Sequence, residues 1–159
     1  MENMVSLWLG NFETENDLLV LNFDNPVTKS FENEGKGEVK FFSSKSKIEN
    51  GYIIDNGVIK ECKDGLRYHI YDTKTMILRG THNFENASAA IIATKDLVKI
   101  EDAINVFNTF KGVEHRLELV KETKSRIKWY NDSVSSSPTR TIAGLNAFAL
   151  RNLILIAGG

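Results

Sequence analysis

The sequence predicts an α/β fold, in which a sheet with packed helices is followed by the beginning of a second α/β unit. Three observations carry this prediction. The apolar run DLLVLN at residues 17–22 is typical of a strand that is buried on both faces of a parallel sheet. Short strand patterns and two helical patterns follow it. After Gly112 the order hairpin, helix and apolar strand begins again, as expected for an α/β sheet.

The strand patterns come first along the chain. The predicted strands after the first apolar run are residues 38–43, 51–55, 58–62, 67–71 and 75–78. Asn56-Gly57 separates two of them, and this dipeptide is the strongest short signal for a β-hairpin.

Two helices are predicted next. Asn83 is placed to cap the first, NFENASAAIIATKDL, whose small residues allow close packing on a sheet. The second helix spans residues 100–110, because apolar residues recur there at the i, i+3, i+4 and i+7 spacing of one helix face. Gly112 is expected to stop it.

The second unit is predicted to start at a boundary within residues 111–114. Residues 117–123 and 126–131 are expected to pair as a hairpin, followed by a helix from Pro138 to about Leu150 and a strand at 153–157. A buried parallel strand needs neighbours on both edges, and the sequence given stops just after this one. The second unit is therefore expected to be cut short, with an exposed sheet edge that favours self-association.

The composition is that of an ordinary soluble globular chain. Of its 159 residues, 42% are hydrophobic and 26% charged, which argues against a disordered chain. The net charge of −1 gives no reason to expect a nucleic-acid or membrane surface. No apolar run approaches a membrane span, and MENMVSLWLG lacks the features of a signal peptide. The single cysteine, Cys62, excludes an intrachain disulfide and fits the reducing cytoplasm.

The first candidate binding cluster is GTHNFEN at residues 80–86, where strands give way to a helix. Asn83 and Asn86 lie three residues apart and so share one helix face. A carboxamide offers the donor and acceptor pair that reads the edge of an adenine. The alternative is a helix cap with a polar first turn.

The second cluster is His115-Arg116. The fork of an arginine guanidinium suits a phosphate or a carboxylate. The alternative is a solvated arginine that pairs with Glu118, beside a structural histidine.

The third cluster is WYNDSVSSSPTRT at residues 129–141, where Asp132 follows a predicted strand. Ser137 is placed as the N-cap of a helix with Pro138 at its first position. The main-chain amides of residues 135–137 would then suit an anion, at the carboxyl end of a strand where open α/β sheets bind ligands. The alternative is a plain capped turn.

Other common sites have no support in the sequence. Lys36 follows Gly35, but the surrounding residues do not complete the phosphate-loop pattern. The cysteine and histidines lack zinc-ligand spacing, and no Ser-His-Asp arrangement is indicated.

Taken in order, four motifs resemble the Mur ligases of peptidoglycan synthesis. They are G-x-H-N-x-x-N at 80–86, F-K-G-V-E-H-R-L-E at 110–118, Y-N-D-S-x-x-S-x-P-T-R-T-I-A-G-L at 130–145 and L-I-L-I-A-G-G at 153–159. The segment LLVLNFDNP at 18–26 is also similar to the family's central domain. The residues Asn131, Asp132 and Ser133 favour the branch that adds D-glutamate.

The resemblance implies a place within a three-domain enzyme. Residues 1–112 would be the last part of the central ATP-binding domain, with a mixed sheet plus helices. Residues 113–159 would be the truncated start of a Rossmann-like, D-glutamate-binding C-terminal domain. The partner of the chain would be the remainder of the same enzyme, including the phosphate loop and the magnesium-binding acid. The family's carbamate-bearing lysine has no evident counterpart near Ser6 and Leu7.

The activity implied is an ATP-dependent amide ligation, important for cell-wall biogenesis, cell shape and cell division. It would use ATP and Mg²⁺ to join D-glutamate to UDP-N-acetylmuramoyl-L-alanine in the cytoplasm, through an acyl phosphate that the D-glutamate amine attacks. A complete catalytic set is not expected in this chain, which alone should have no ligase activity.

The resemblance also implies roles for individual residues. His82, Asn83 and Asn86 would border the adenine, and Arg116 and Asp132 would meet the phosphate and ribose. The hydroxyls that would help to hold D-glutamate are those of Ser133 and Ser136, beside Val134, which stands where many relatives have a lysine. Two other interpretations stay open: a nucleotide-binding or interaction module without catalysis, and another amide ligase of the Mur or folylpolyglutamate type.

Overall fold

A computed structural model of the chain describes residues 14–148 and 152–158, and five of its strands form one mixed sheet. The strands, in spatial as well as chain order, are β1 (Leu18–Asn22), β2 (Glu38–Ser43), β3 (Gly51–Asp55), β4 (Val58–Lys63) and β5 (Leu66–Asp72). β1, β2 and β3 run parallel, whereas β3, β4 and β5 form an antiparallel meander. The α/β prediction is confirmed at this level, and these five strands were predicted to within one residue at each end.

β1 is covered by apolar side chains on both faces, as predicted from its composition. Val20 packs against the larger apolar cluster of the molecule. Leu19 and Leu21 pack with Phe31 on the opposite face, where the chain forms the short helix α1 (Pro26–Ser30) and a 3-10 turn. Among the described residues β1 is an edge strand of the sheet.

Tight turns join the strands of the meander. Asn56 and Gly57 have φ of 50° and 76°, the left-handed conformation that a two-residue type I′ hairpin turn needs at both positions. Asp55 and Val58 pair directly across this turn. Asp64-Gly65 repeats the arrangement between β4 and β5, with φ of 53° and 77°.

The larger core lies between the sheet and two helices, α2 (Thr81–Thr94) and α3 (Ile100–Thr109). Its buried residues are Phe42, Tyr52, Ile59, Tyr71, Met76, Ala87, Ile91 and Ile92. Ile100, Ile104 and Phe107 of α3 pack against this cluster, which confirms the predicted apolar stripe.

Two predictions about helix ends are wrong. The N-cap of α2 is Gly80 rather than Asn83, because the positive φ of Gly80 (100°) turns the chain into the helix three residues earlier. Asn83 therefore lies inside the first turn, where its Nδ2 donates to the Arg79 carbonyl at 2.7 Å. α3 ends at Thr109 with Phe110 as its C-cap, so Gly112 lies beyond the cap and does not itself stop the helix.

The strand predicted at residues 75–78 is also wrong. A 3-10 turn occupies Thr73–Thr75, and the Asp72 carboxylate accepts from the Lys74 amide at 3.0 Å. This local side chain to main chain bond competes with an extended conformation. Met76, just after the turn, is buried in the core.

The C-terminal part contains an antiparallel hairpin, β6 (Glu118–Glu122) and β7 (Lys128–Asn131), and helix α4 (Pro138–Asn146). Both elements were predicted, but the helix ends at Asn146 with Ala147 as its C-cap, so its predicted end at about Leu150 is wrong. Residues 152–158 contain no regular element, so the strand predicted at 153–157 is wrong. A strand is formed by hydrogen bonds to a neighbour, and here Ile154 and Ile156 are 90% and 80% exposed. Within the part of the chain that the structure describes, no helix combines the length and apolar character needed to cross a membrane.

The core packing gives a direct test through Ile59, which has no exposed surface. Ile59→Ala should lower the free energy of unfolding by about 2–5 kcal/mol, because it removes buried methyl groups and leaves a cavity. Leu97→Ala is the matched control, since Leu97 is 80% exposed and its truncation should change stability by less than about 0.5 kcal/mol. Urea unfolding measures both, and equal midpoints for the two variants would contradict this core.

Candidate functional site

The first candidate cluster lies close to the end of α4, the helix that begins within the third cluster. A Cβ built on Gly80 would lie 2.9 Å from Cε1 of His82 and 3.2 Å from Cβ of Ala147, the residue that caps the end of α4. The start of α2 therefore packs against the end of α4, although the two helices are far apart in the sequence.

The two asparagines of the first cluster differ in what they contact. Asn83 is buried, and its Nδ2 is bonded to the main-chain oxygen of Arg79. Asn86 is exposed, and its carboxamide makes no hydrogen bond to any residue in the described ranges. Asn86 is therefore the asparagine whose carboxamide donor and acceptor are both open to a ligand.

His82 is half-buried between charged groups from both parts of the chain. Burial lowers the pKa of the His82 imidazole, and the positive charge of Arg116 lowers it further, while Glu85 and Asp132 act in the opposite direction. The influence of Arg116 and Asp132 means that both lie near the ring. The fold thus brings together three of the residues singled out in the sequence, with the imidazole favoured in its neutral form.

Arg116 is held outward by an unusual loop. His115 and Leu117, on either side of it, have φ of 65° and 47°, which is uncommon for residues other than glycine. Asn131 Nδ2 lies 2.9 Å from His115 Nδ1, and the His115 amide donates to Glu118 at 2.9 Å. Arg116 itself is exposed and forms no ion pair with Glu118, which was the alternative left open by the sequence. Its guanidinium is available to an anion.

Asp132 is fixed between this loop and α4. Its Oδ1 accepts from the Leu117 amide at 3.1 Å. Its Oδ2 faces Gly144 of α4, where an added Cβ would lie 3.0 Å away. The carboxylate is half-buried, so its position is set from two sides.

The serine stretch is a structured turn. Ser137 is the N-cap residue of α4 and Pro138 its first residue, as predicted, but the Ser137 hydroxyl makes no capping hydrogen bond. Thr141 holds the turn instead, since its hydroxyl donates to the main-chain oxygens of Ser135 and Ser137 at 3.3 and 3.2 Å.

The two serines expected to contact D-glutamate are both exposed. The hydroxyls of Ser133 and Ser136 make no hydrogen bond to the residues that the structure describes. Their main-chain amides donate within the turn, to Asn131 Oδ1 at 3.1 Å and to the Val134 oxygen at 2.8 Å.

A further polar cluster was not predicted. It joins Asp24, which follows β1, to the turn at residues 43–46 after β2 and to Glu85 on α2. The signal in the sequence was two polar runs, NFDN and SSKS, each just after a strand. Because the carboxyl ends of parallel strands lie at one edge of a sheet, such runs are expected to meet there. Within residues 14–148 and 152–158, no group of three or more His, Cys, Asp or Glu side chains is arranged to hold a metal ion.

The fold is similar to that of solved Mur ligases. The UDP-N-acetylmuramoylalanyl-D-glutamyl-2,6-diaminopimelate–D-alanyl-D-alanyl ligase from Acinetobacter baumannii matches with a TM-score of 0.61 over 85% of this chain and 30% of that one, at 16% identity. A crystal structure of MurF from Acinetobacter baumannii also gives 0.61, over 85% and 29% at 15% identity. At these identities the likeness concerns the α/β mixed-sheet fold alone. No protein-family profile matches the chain.

Sequence comparison adds what the fold leaves open, because the chain is similar in sequence to members of the Mur ligase family. Within that family it is similar to the UDP-N-acetylmuramoylalanine–D-glutamate ligases. The ligase of Ruminiclostridium cellulolyticum is 46% identical over 147 residues, and that of Clostridium botulinum (strain Alaska E43) is 45% identical over 152. These matches cover 92% and 93% of this chain but only 31% of each ligase.

The surroundings of His82 predict how stability depends on pH. Its pKa in the folded chain lies below the value of about 6.5 expected when unfolded, so between these two values the unfolded state binds more protons. The free energy of unfolding should therefore fall as the pH drops through about 6.5 toward the folded pKa, and His82→Gln should remove this part of the loss. Urea unfolding between about pH 8 and pH 5 measures it.

The contribution of Arg116 to the lowered pKa of His82 can be measured by titrating the His82 ring by NMR. Arg116→Gln should raise the pKa of His82, because a nearby positive charge is removed. Arg140→Gln, at an exposed position on α4, is the matched control and should leave it unchanged. The same His82 pKa in the wild type and in Arg116→Gln would contradict the proximity of these two side chains.

Proposed function

We propose that this chain is part of an ATP-dependent ligase that joins D-glutamate to UDP-N-acetylmuramoyl-L-alanine in peptidoglycan synthesis, in the cytoplasm. The observation that carries the proposal is 42–46% identity, over more than nine-tenths of the chain, to ligases that bear this name. Residues 1–112 are assigned to the end of the central ATP-binding domain and residues 113–159 to the start of the C-terminal domain. The chain would work together with the remainder of the enzyme.

The start of α2 is assigned to the adenine. Asn86 exposes a carboxamide, whose donor and acceptor match the N7 and N6 groups of an adenine edge. His82 adds a half-buried, neutral ring beside it, with an apolar face suited to a base. Asn83 is assigned to the same border, but its buried carboxamide acts mainly by holding the Arg79 carbonyl and hence the first turn.

Arg116 and Asp132 are assigned to the phosphate and ribose of the same nucleotide. The exposed guanidinium of Arg116 can form a charge-assisted pair with a phosphate. The Asp132 carboxylate uses one oxygen for the Leu117 amide and can accept from a ribose hydroxyl. Both groups lie near His82, which supports a single nucleotide that spans the two parts of the chain.

Ser133 and Ser136 are assigned to D-glutamate. Their hydroxyls are exposed beside the N-terminus of α4, where a helix favours negative charge. A carboxylate of the incoming amino acid would therefore find hydroxyl donors and a favourable field at the same place.

The chemistry proposed runs in two steps. A carboxylate oxygen of the muramoyl-alanine attacks the γ-phosphorus of ATP, which forms an acyl phosphate and releases ADP. The amine of D-glutamate then attacks the acyl carbon, and inorganic phosphate leaves. Mg²⁺ supplies charge neutralisation at the phosphates when bound, with ligands expected from the remainder of the enzyme. The residues of this chain bind and orient the nucleotide and the amino acid.

The nucleotide assignment can be tested on this chain by titration with ATP, followed by NMR shifts. Asn86→Ala and Asp132→Ala should each weaken binding by roughly tenfold, as expected when one or two hydrogen bonds to the ligand are lost. Asn105→Ala and Asp96→Ala replace the same residue types at exposed positions away from the site and should leave affinity unchanged. Equal affinity in all four variants would remove the adenine and ribose assignments.

The ligase activity can be tested by placing this chain in the Ruminiclostridium cellulolyticum ligase, in place of the segment that it matches. The hybrid should release phosphate from ATP only when D-glutamate and UDP-N-acetylmuramoyl-L-alanine are both present, whereas this chain alone should release none. A hybrid that binds ATP but prefers another amino acid would indicate a different amide ligase. Phosphate release by the chain alone would contradict the proposal that this chain acts only together with the remainder of the enzyme.

A further inference from the structure

The cluster around Asp24 lies outside every residue assigned so far. We infer that Asp24 and Ser44 are positioning residues, which hold the nucleotide-facing turns of α2 through Glu85. The inference rests on the proposed function, because the helix that they hold is the one assigned to adenine.

Asp24 holds the turn that follows β2. Its Oδ2 accepts from the main-chain amides of Ser44 at 2.7 Å and Lys45 at 3.0 Å. Its Oδ1 accepts from the Ser43 hydroxyl at 2.8 Å and from the Ser46 amide at 3.2 Å. Burial opposes the charged form, but these hydrogen bonds outweigh it and lower the pKa of Asp24, so the carboxylate is charged at neutral pH.

Asp24 and the turn at residues 43–46 are themselves held in place by further hydrogen bonds. Asn22, the last residue of β1, accepts from the Asp24 amide through Oδ1 at 2.9 Å. Ser43, the last residue of β2, is 1% exposed, and its hydroxyl also accepts from the Ser46 amide at 2.8 Å. The turn at residues 43–46 is therefore held against the ends of two parallel strands.

Ser44 transmits this position to α2. Its amide donates to Asp24, whereas its hydroxyl donates to Oε1 of Glu85, 41 residues further along the chain, and more weakly to Asp24 Oδ2 at 3.5 Å. Glu85 lies on α2 one residue before Asn86 and three after His82. The bond thus links the ends of β1 and β2 to the helix turns that carry the three residues assigned to adenine.

The start of α2 has no side-chain cap, because Gly80 has no side chain. Other side-chain bonds hold its first turns, from Asn83 to the Arg79 carbonyl and from Ser44 to Glu85. Further along, Ala87, Ile91 and Ile92 hold α2 in the core. Loss of the Ser44 hydroxyl should therefore affect the first two turns and leave the rest of the helix in place.

The test compares Ser44→Ala, Ser44→Thr and the wild type in the 159-residue chain. Ser44→Ala removes the bond to Glu85 and keeps the amide that binds Asp24, while Ser44→Thr keeps the hydroxyl. Ser30→Ala is the control, since Ser30 bonds only within its own turn, to the Val27 oxygen. Amide hydrogen exchange and NMR titrations with ATP and with inorganic tripolyphosphate are the measurements.

In Ser44→Ala, exchange should rise roughly fivefold or more at residues 84–86 but not at 91–94, and ATP should bind roughly fivefold more weakly. Tripolyphosphate, which has no base, should bind as in the wild type, and Ser44→Thr should restore both properties. Unchanged exchange and ATP affinity would overturn the inference. Equal losses for both ligands, with faster exchange along all of α2, would also overturn it, since that result identifies a general stability effect.

The proposed function is tested separately by the wild type. If the wild-type chain has no affinity for ATP, the adenine assignment fails. The exchange at residues 84–86 then still decides whether Asp24 and Ser44 hold this part of α2.

Discussion

The candidate site depends on one close approach, at Gly80. The residue has a φ of 100°, and a side chain there would meet the His82 ring and Ala147 at once. Because only hydrogen occupies that space, α2 can begin against the end of α4. The same region brings Arg116 and Asp132 close enough to His82 for their charges to act on the pKa of its imidazole. A substitution at Gly80 would combine backbone strain with a clash against His82 and Ala147. It would therefore separate the start of α2 from the end of α4, a contact called the junction below.

The loop at residues 115–117 and the turn before α4 are held by hydrogen bonds that each use a main-chain amide or oxygen, which leaves several polar side chains open. The loop at residues 115–117 uses its amides to bind Glu118 and Asp132, and this keeps the Arg116 guanidinium exposed. The Thr141 hydroxyl donates to the main-chain oxygens of Ser135 and Ser137 and holds the turn before α4, while the Ser137 hydroxyl makes no capping bond. Side chains that make no hydrogen bond within the described residues can bind a ligand. Here they offer the Arg116 guanidinium, the Asn86 carboxamide and the hydroxyls of Ser133 and Ser136. These are the groups that a nucleotide and an amino acid require.

The sequence predicted those parts of the fold that are determined by local patterns. The periodicity of α3, the strand patterns and the Asn56-Gly57 turn depend on neighbouring residues, and the structure agrees with them. The prediction failed where one side chain bond decides the conformation, as at Asp72, or where a strand lacks a neighbour, as at residues 153–157. The motifs led to the residues of the candidate site, whose roles stay predictions. They did not indicate the contact of Ser44 with Glu85, because a hydrogen bond between residues 41 positions apart leaves no periodic signal.

The helix ends at the junction share a property that the sequence did not reveal. α1 is capped by the side chain of Asn25, whereas α2 and α4, like α3, begin without a side-chain capping bond. The first amides of a helix have no partner within it, and they carry a partial positive charge. Elsewhere in proteins a serine, threonine or aspartate commonly satisfies them. The two helices that meet at Gly80 instead leave this role to solvent or to a bound group. In the proposed function, the D-glutamate carboxylate beside Ser133 and Ser136 would complement the open amides of α4, whereas the start of α2 is assigned to the uncharged adenine.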